Sequence, residues 1–176
     1  MKNKYLPYTD VSNHCKFITF RTVESEDSTL HEILNQKNIS DKMKQYQVDT
    51  YLDGSNKGAY LNDDILQLLH NLLKSQDMIL YDLVAYTIMP NHIHLLIVPK
   101  KNLSFIMETI KSISKTEINK ILKRKGQFWE DNYHTKNVKN ENQLDLIYKY
   151  IKNNSLKLNI NKDLSSRFYG IYEENR

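Results

Sequence analysis

The chain has 176 residues, 40% hydrophobic and 26% charged, with only 4 Gly and 3 Pro. That composition excludes collagen-like, linker-like and fully disordered classes. Lys and Arg number 25 against 21 Asp and Glu, a net charge of +4, which permits a polyanionic partner without demanding one. At roughly 150 residues per domain this is a single globular domain, long enough to build its own core. A lone cysteine, Cys15, excludes an intrachain disulfide framework and any multi-thiolate zinc site. No apolar run approaches the about 20 residues of a membrane span, and the first residues carry no apolar signal core, so a cytoplasmic protein is expected.

Residues 1–14 are polar and read as a lead-in. Residues 15–22 are rich in aromatic and β-branched types and predict a strand. Residues 24–61 are charged and weakly periodic. Leu30, Ile33 and Leu34 suggest a short helix and residues 41–51 another, so 24–57 reads as an insertion in a core that starts and resumes around it. From Asn62, a candidate cap, Ile65, Leu68, Leu69 and Leu72 recur at helical spacing. Residues 80–88 and 92–98 predict two strands joined at Pro90-Asn91, an antiparallel hairpin. Leu103, Ile106, Met107, Ile110, Ile113 and Ile121 line one face of a long helix ending near Arg124, with Gly126 as its stop. Residues 127–138 look extended, and a last helix covers about 142–154. The order strand, helix, strand, strand, helix, strand is the βαββαβ pattern of a ferredoxin-like α+β fold with an antiparallel sheet, followed by a further helix.

Three constellations carry chemistry. His92 and His94 are two apart on a strand, so their imidazoles share a face, close enough either to hold one divalent metal or to make ordinary hydrogen bonds in a core. On the last helix, Leu144, Ile147, Tyr148 and Ile151 form the buried stripe. Tyr150 and Asn154 lie together on its flank, one turn apart, where a phenol and an amide can meet solvent or ligand. Lys111 and Lys115 share a flank of the long helix, and Lys120, Lys123, Arg124 and Lys125 crowd its end. These cations are either a solvated face with favourable helix-end charges or phosphate contacts, with Phe128, Trp129 and Tyr133 near enough to stack on bases. Trp129 equally suits a core.

The run Ala85-Tyr-Thr-Ile-Met-Pro-Asn-His-Ile-His-Leu-Leu-Ile-Val98 resembles the signature of the small single-tyrosine HUH transposases, and most closely the REP-associated tyrosine transposases. Phe17-Ile-Thr-Phe-Arg21 resembles their opening strand, and residues 103–125 their Lys-containing helix. Gly126-Gln-Phe-Trp129 resembles the Gly-x-x-Trp junction, Tyr150-Ile-Lys-Asn-Asn154 the catalytic helix, and Asp163-Leu-Ser-Ser166 a tail element. The resemblance covers about 15–23 and 58–168, with 24–57 poorly matched. Two departures stand out: Ser155 replaces the usual Pro, which would loosen the end of the catalytic helix, and His134 stands where an acidic residue is common.

The resemblance implies an enzyme that nicks and transfers single-stranded DNA beside a hairpin. His92, His94 and Asn154 would bind Mg²⁺ or Mn²⁺, and Tyr150 would attack phosphorus to give a 5′-phosphotyrosine and a free 3′-hydroxyl. Lys111, Lys115, Lys123, Arg124, Trp129 and Tyr133 would contact DNA. The phenol must lose its proton at attack, and the sequence does not choose its base. The alternative is a domesticated DNA- or RNA-binding protein on the same scaffold, which needs no such set of four side chains. An unrelated metal-binding hydrolase leaves Tyr150 unexplained. The expected assembly is a monomer or weak homodimer, because no long exposed apolar strand is evident.

Overall fold

The structure is a computed structural model that describes residues 14–158 and 164–172. The polar lead-in, save His14, and Asp163 of the tail element lie outside the described residues. The elements in order are β1 (Lys16–Arg21), a 3-10 turn (Val23–Ser25), α1 (Ser28–Asn35), α2 (Asp41–Gly54), α3 (Asp63–Ser75), β2 (Tyr81–Ile88) and β3 (His92–Pro99). They continue with α4 (Leu103–Ile121), β4 (His134–Asn137), α5 (Glu141–Leu156), α6 (Leu164–Arg167) and β5 (Phe168–Gly170). The sheet runs β4-β1-β3-β2-β5 with every pairing antiparallel. This is the expected ferredoxin-like α+β order with one short extra strand on the β2 edge. No helix of the described residues is long and apolar enough to cross a membrane.

Strand alternation divides the sheet into two faces. On one face Phe20 packs on Trp129, whose Nε1 donates to Ser114 of α4, and Tyr86 reaches His70 of α3. Helices α3 and α4 therefore cover this side. On the other face Phe17 meets both His94 and Tyr150, so α5 covers the side that carries the histidines. Buried side chains such as Ile18, Phe20, Leu95 and Leu144 join both layers into one core, each contributing roughly 1.5–3 kcal/mol of burial.

Several local expectations shift in the fold. The buried stripe of α3 is Ile65, Leu66, Leu69 and Leu73, with Leu68 and Leu72 only part-buried. Asn62 stands at the N-cap, yet its side chain makes no capping bond. Its Nδ2 donates to the Ala59 carbonyl and its Oδ1 accepts from Arg167. On α4 the buried face is Ile106, Met107, Ile110, Ser114 and Ile118, while Ile113 and Ile121 are exposed. Ser114 belongs to the buried face because its hydroxyl accepts from the Trp129 indole. Helix α5 runs past Asn154 to Leu156, and the Ser155 hydroxyl donates to the Lys152 carbonyl at 2.8 Å.

Helices α1 and α2 pack together through Leu30, Val48 and Leu52, a small second cluster. Caps define both starts: Asp27 accepts from the Leu30 amide and Ser40 from the Met43 amide. The chain leaves α2 through Gly58, whose φ is +62° and whose added Cβ would meet Thr22 and the Ser25 backbone, so only glycine fits this close approach.

Candidate active site

His92 opens β3 directly after the hairpin tip. Its Nδ1 lies 2.7 Å from Oδ1 of Asn91. The Asn91 Nδ2 donates to the carbonyls of Leu52, Ser55 and Lys57 at 3.0–3.3 Å, which fixes the amide's orientation. Its Oδ1 can only accept, so the His92 hydrogen sits on Nδ1 and the Nε2 lone pair is free. His94 holds Thr19 Oγ1 at 2.8 Å through Nδ1, and the two Nε2 atoms face one another at 3.2 Å. Both rings are fully buried. Burial lowers the pKa of each, that of His94 to about 3, so both imidazoles are neutral at pH 7.

Tyr150 projects from α5 onto this pair, its hydroxyl 3.5 Å from His94 Nε2 and its ring edge-on to His94 and Phe17. The hydroxyl donates to Oδ2 of Asp49 at 2.6 Å. Burial raises the phenol's pKa, and the Asp49 charge raises it further, while a hydrogen bond from Asn154 opposes both. One turn on, Asn154 is fully buried rather than marginal. Its Nδ2 donates to the Tyr150 carbonyl at 3.0 Å, and its Oδ1 has no hydrogen-bond partner. Tyr148 lies in the core at 6% exposure, as its place in the stripe predicts.

Two groups here were not foreseen. Asp49 and Asp53 are four apart on α2 and so share one of its faces. Asp49 is buried, and its Oδ1 takes the Gln45 amide at 2.7 Å. Burial raises its carboxyl above the ordinary range, against the pull of the Tyr150 hydrogen bond. Asp53 Oδ1 lies 3.6 Å from His92 Nε2, and its Oδ2 pairs with Lys157 at 2.6 Å. Burial raises its pKa too, with Lys157 opposing.

Among the described residues no group of three or more His, Cys, Asp or Glu side chains is arranged to hold a metal ion alone. A metal there would need a further donor, and candidates are two buried oxygens without a hydrogen-bond partner: Oδ1 of Asn154 on α5, and Oδ1 of Asp53, 3.6 Å from His92 Nε2. Donors bonded to one ion at about 2.0–2.2 Å stand some 3–4 Å apart, which the 3.2 Å between the imidazole nitrogens satisfies. A nitrogen–nitrogen–oxygen set with room for further ligands fits an octahedral cation better than a closed structural zinc site.

A cleft of about 470 Å³ opens onto Tyr150 and Asp49 between Phe17, Tyr46, His134 and Lys136. Tyr46 is exposed at its rim. The cationic helix faces elsewhere. Lys111, Lys115, Trp129 and Tyr133 line a different cleft of about 360 Å³ beside α4. There Lys111 Nζ is taken by the carbonyls of Glu130, Asp131 and Asn132 at 2.8–3.4 Å and lies 5.3 Å from the Tyr133 ring. Trp129 is 3% exposed and has no free face to offer a base. Arg124 pairs with Glu24 at 2.5 Å and lies over Tyr60 and Phe128. Lys115 and Lys123 are exposed.

The fold thus brings two strand histidines against a helix tyrosine, and sequence comparison gives the family. The family model for IS200-like transposases matches residues 42–154. The chain belongs to that family. Among solved structures it is similar to a REP-associated tyrosine transposase bound to a REP hairpin, at 15% identity and a TM-score of 0.46 over 94% of this chain and 79% of that one. It is also similar to a transposase-like protein of Deinococcus radiodurans R1, at 16% identity and a TM-score of 0.41 over 88% of this chain and 96% of that one. No curated protein matches it.

Proposed function

We propose that this transposase-family protein nicks single-stranded DNA beside a hairpin and transfers the strand through a 5′-phosphotyrosine on Tyr150. The observation that carries this reading is the approach of the Tyr150 hydroxyl to within 3.5 Å of His94 Nε2, itself 3.2 Å from His92 Nε2. A nucleophile stands beside a pair of neutral nitrogen donors, and a protein that only bound DNA would need neither.

His92, His94 and Asn154 would hold Mg²⁺ or Mn²⁺, with Asn91 and Thr19 orienting the rings from behind. When bound, such an ion polarises the scissile phosphate and eases departure of the 3′-oxygen. Tyr150 Oη attacks phosphorus, the P–O3′ bond breaks, and the phosphodiester energy is kept in the protein–DNA link for rejoining. The stacked rings of Phe17 and His94 both meet the phenol ring edge-on and Asp49 accepts from its hydroxyl, so the attacking oxygen is placed before substrate arrives. An extended single strand reaches it through the cleft between Tyr46 and Lys136, where an exposed ring and a cation suit a base and a phosphate.

The test is incubation of the protein with hairpin-flanked single-stranded DNA and Mn²⁺, followed by a denaturing gel. A covalent protein–DNA band and a released strand with an extendable 3′-hydroxyl are expected. Tight DNA binding with no adduct on any hairpin substrate would instead favour a binding protein on this scaffold.

A further inference from the structure

We infer that Asp49 is the proton acceptor for Tyr150 in strand cleavage, a catalytic role for a helix outside the histidine and tyrosine motifs. This rests on the strand-transfer reading above. The Tyr150 hydroxyl donates to Asp49 Oδ2 at 2.6 Å, the shortest contact the phenol oxygen makes. The other Asp49 oxygen is already engaged by Gln45, so Oδ2 is the atom left to face the phenol. Val48 and Leu52, buried with Leu30, anchor the stretch of α2 that carries Asp49.

The other groups around the phenol fit the role less well. His94 Nε2 is 3.5 Å away, at the long limit of a hydrogen bond, and lies closer, at 3.2 Å, to His92 Nε2. Asn154 donates its amide nitrogen to the Tyr150 backbone carbonyl, and an amide is no base for a phenol. Lys157, 5.7 Å from the ring centroid, is a cation with no acceptor. The charged and titratable groups facing Asp49 are Asp53 on α2, Tyr150 on α5, His92 on β3 and His134 on β4. Burial makes Asp49 a stronger base than a solvated carboxylate.

The proton balance closes. As the Tyr150 Oη–P bond forms and the P–O3′ bond breaks, the phenol proton passes to Asp49 Oδ2, and the departing 3′-oxygen takes a proton from water. On rejoining, a 3′-hydroxyl attacks the phosphotyrosine and gives its proton to water. The tyrosine oxygen then leaves and recovers its proton from Asp49.

Asp49→Asn keeps shape and hydrogen-bonding capacity but cannot take a proton. In single-turnover cleavage of hairpin-flanked DNA with Mn²⁺, it is expected to slow adduct formation by about 10²–10⁴-fold, with DNA affinity and Mn²⁺ binding within about twofold of the parent. Replacing Tyr150 by 3,5-difluorotyrosine, a more acidic phenol, in the Asp49→Asn background separates chemistry from positioning. Recovery of about tenfold or more is expected, since a more acidic nucleophile depends less on its base. No recovery would overturn the assignment and leave Asp49 a positioning residue. Asp49→Glu, which retains the carboxylate, should keep more activity than Asp49→Asn, and covers the case in which the Asn variant does not fold. If wild type and Asp49→Asn cut at equal rates, the Asp49 assignment alone falls. If wild type forms no adduct, the strand-transfer reading falls and takes the assignment with it.

Discussion

The Asn91 side chain joins His92 to the end of α2: its Oδ1 accepts from His92 Nδ1 at 2.7 Å while its Nδ2 serves three carbonyls at residues 52, 55 and 57. One amide thus sets the tautomer of a candidate metal ligand and anchors the helix that carries Asp49 and Asp53.

Asn91→Ala should fail on both counts. Loss of the outer partner of a histidine ligand typically costs about 10–100-fold in metal affinity, to be read by Mn²⁺ calorimetry. The carbonyls left without a donor should cost about 1–3 kcal/mol in denaturant unfolding. A variant with full stability and full Mn²⁺ affinity would show that Asn91 does neither.

Tyr148 and Tyr150 should separate cleanly. Tyr150→Phe removes the attacking oxygen and should abolish the covalent adduct. It also strips a buried carboxylate of its partner, so a stability loss of about 1–3 kcal/mol is expected. Tyr148→Phe leaves the Tyr172 amide without its acceptor, a loss of about 1 kcal/mol, and should cut DNA at nearly the parental rate. An adduct formed by Tyr150→Phe would move the nucleophile to another tyrosine.

Stability without metal should fall as pH drops below neutral. His92 and His94 have folded pKa values below the roughly 6.5 of the unfolded chain. Between those values the unfolded state binds more protons, so the stability present above about pH 6.5 is lost progressively on acidification. Asp49 and Asp53 act in the opposite sense, since their raised pKa values make their charges costly at neutral pH and less so in acid. The fully buried histidine pair should dominate from pH 7 to 5. Thermal midpoints across this range check it, and since both folded imidazoles stay neutral well below pH 6.5, Mn²⁺ should raise the midpoint at pH 5 as well as at pH 7.5.

The two kinds of lysine on and after α4 should behave differently towards DNA. Lys115→Ala and Lys123→Ala remove exposed cations. Where one contacts a phosphate, its loss should reduce the slope of log affinity against log salt by about 1. Lys111→Ala should leave that slope unchanged and instead cost about 1–3 kcal/mol of stability, because three backbone carbonyls lose their charged donor. A changed salt slope for Lys111→Ala would return it to the DNA interface.

The sheet order was legible because its elements have clear signals: short aromatic and β-branched runs in β1–β3, helical spacing in α3 to α5. Tyr148 and Tyr150 were separable by angle alone. Asp49 and Asp53 were not, since two acids four apart on a polar helix read as a solvated face. Their meaning comes only from what α2 lies against, through Asn91 and Tyr150. The pairing of Asp49 and Asp53 with buried Val48 and Leu52 was the one available hint. Trp129 and Lys111 resembled a stacking ring and a phosphate contact, but the loop at 126–133 folds back over α4 and consumes both. The three-residue β5 is too short to leave a pattern.

Strand β1 lies between β3 and β4, and Thr19 stands opposite both His94 and His134. The order in which a ribosome delivers these pieces therefore matters. The histidine pair and its Thr19 and Asn91 supports are all made before α5, and the tyrosine that would cut follows them. A polypeptide halted before residue 141 carries the two histidines and the Asp49 carboxylate but neither Tyr150 nor Asn154. Under the proposed reaction, translation thus delivers the nucleophile only after the four strands β1–β4, with the histidines already in place.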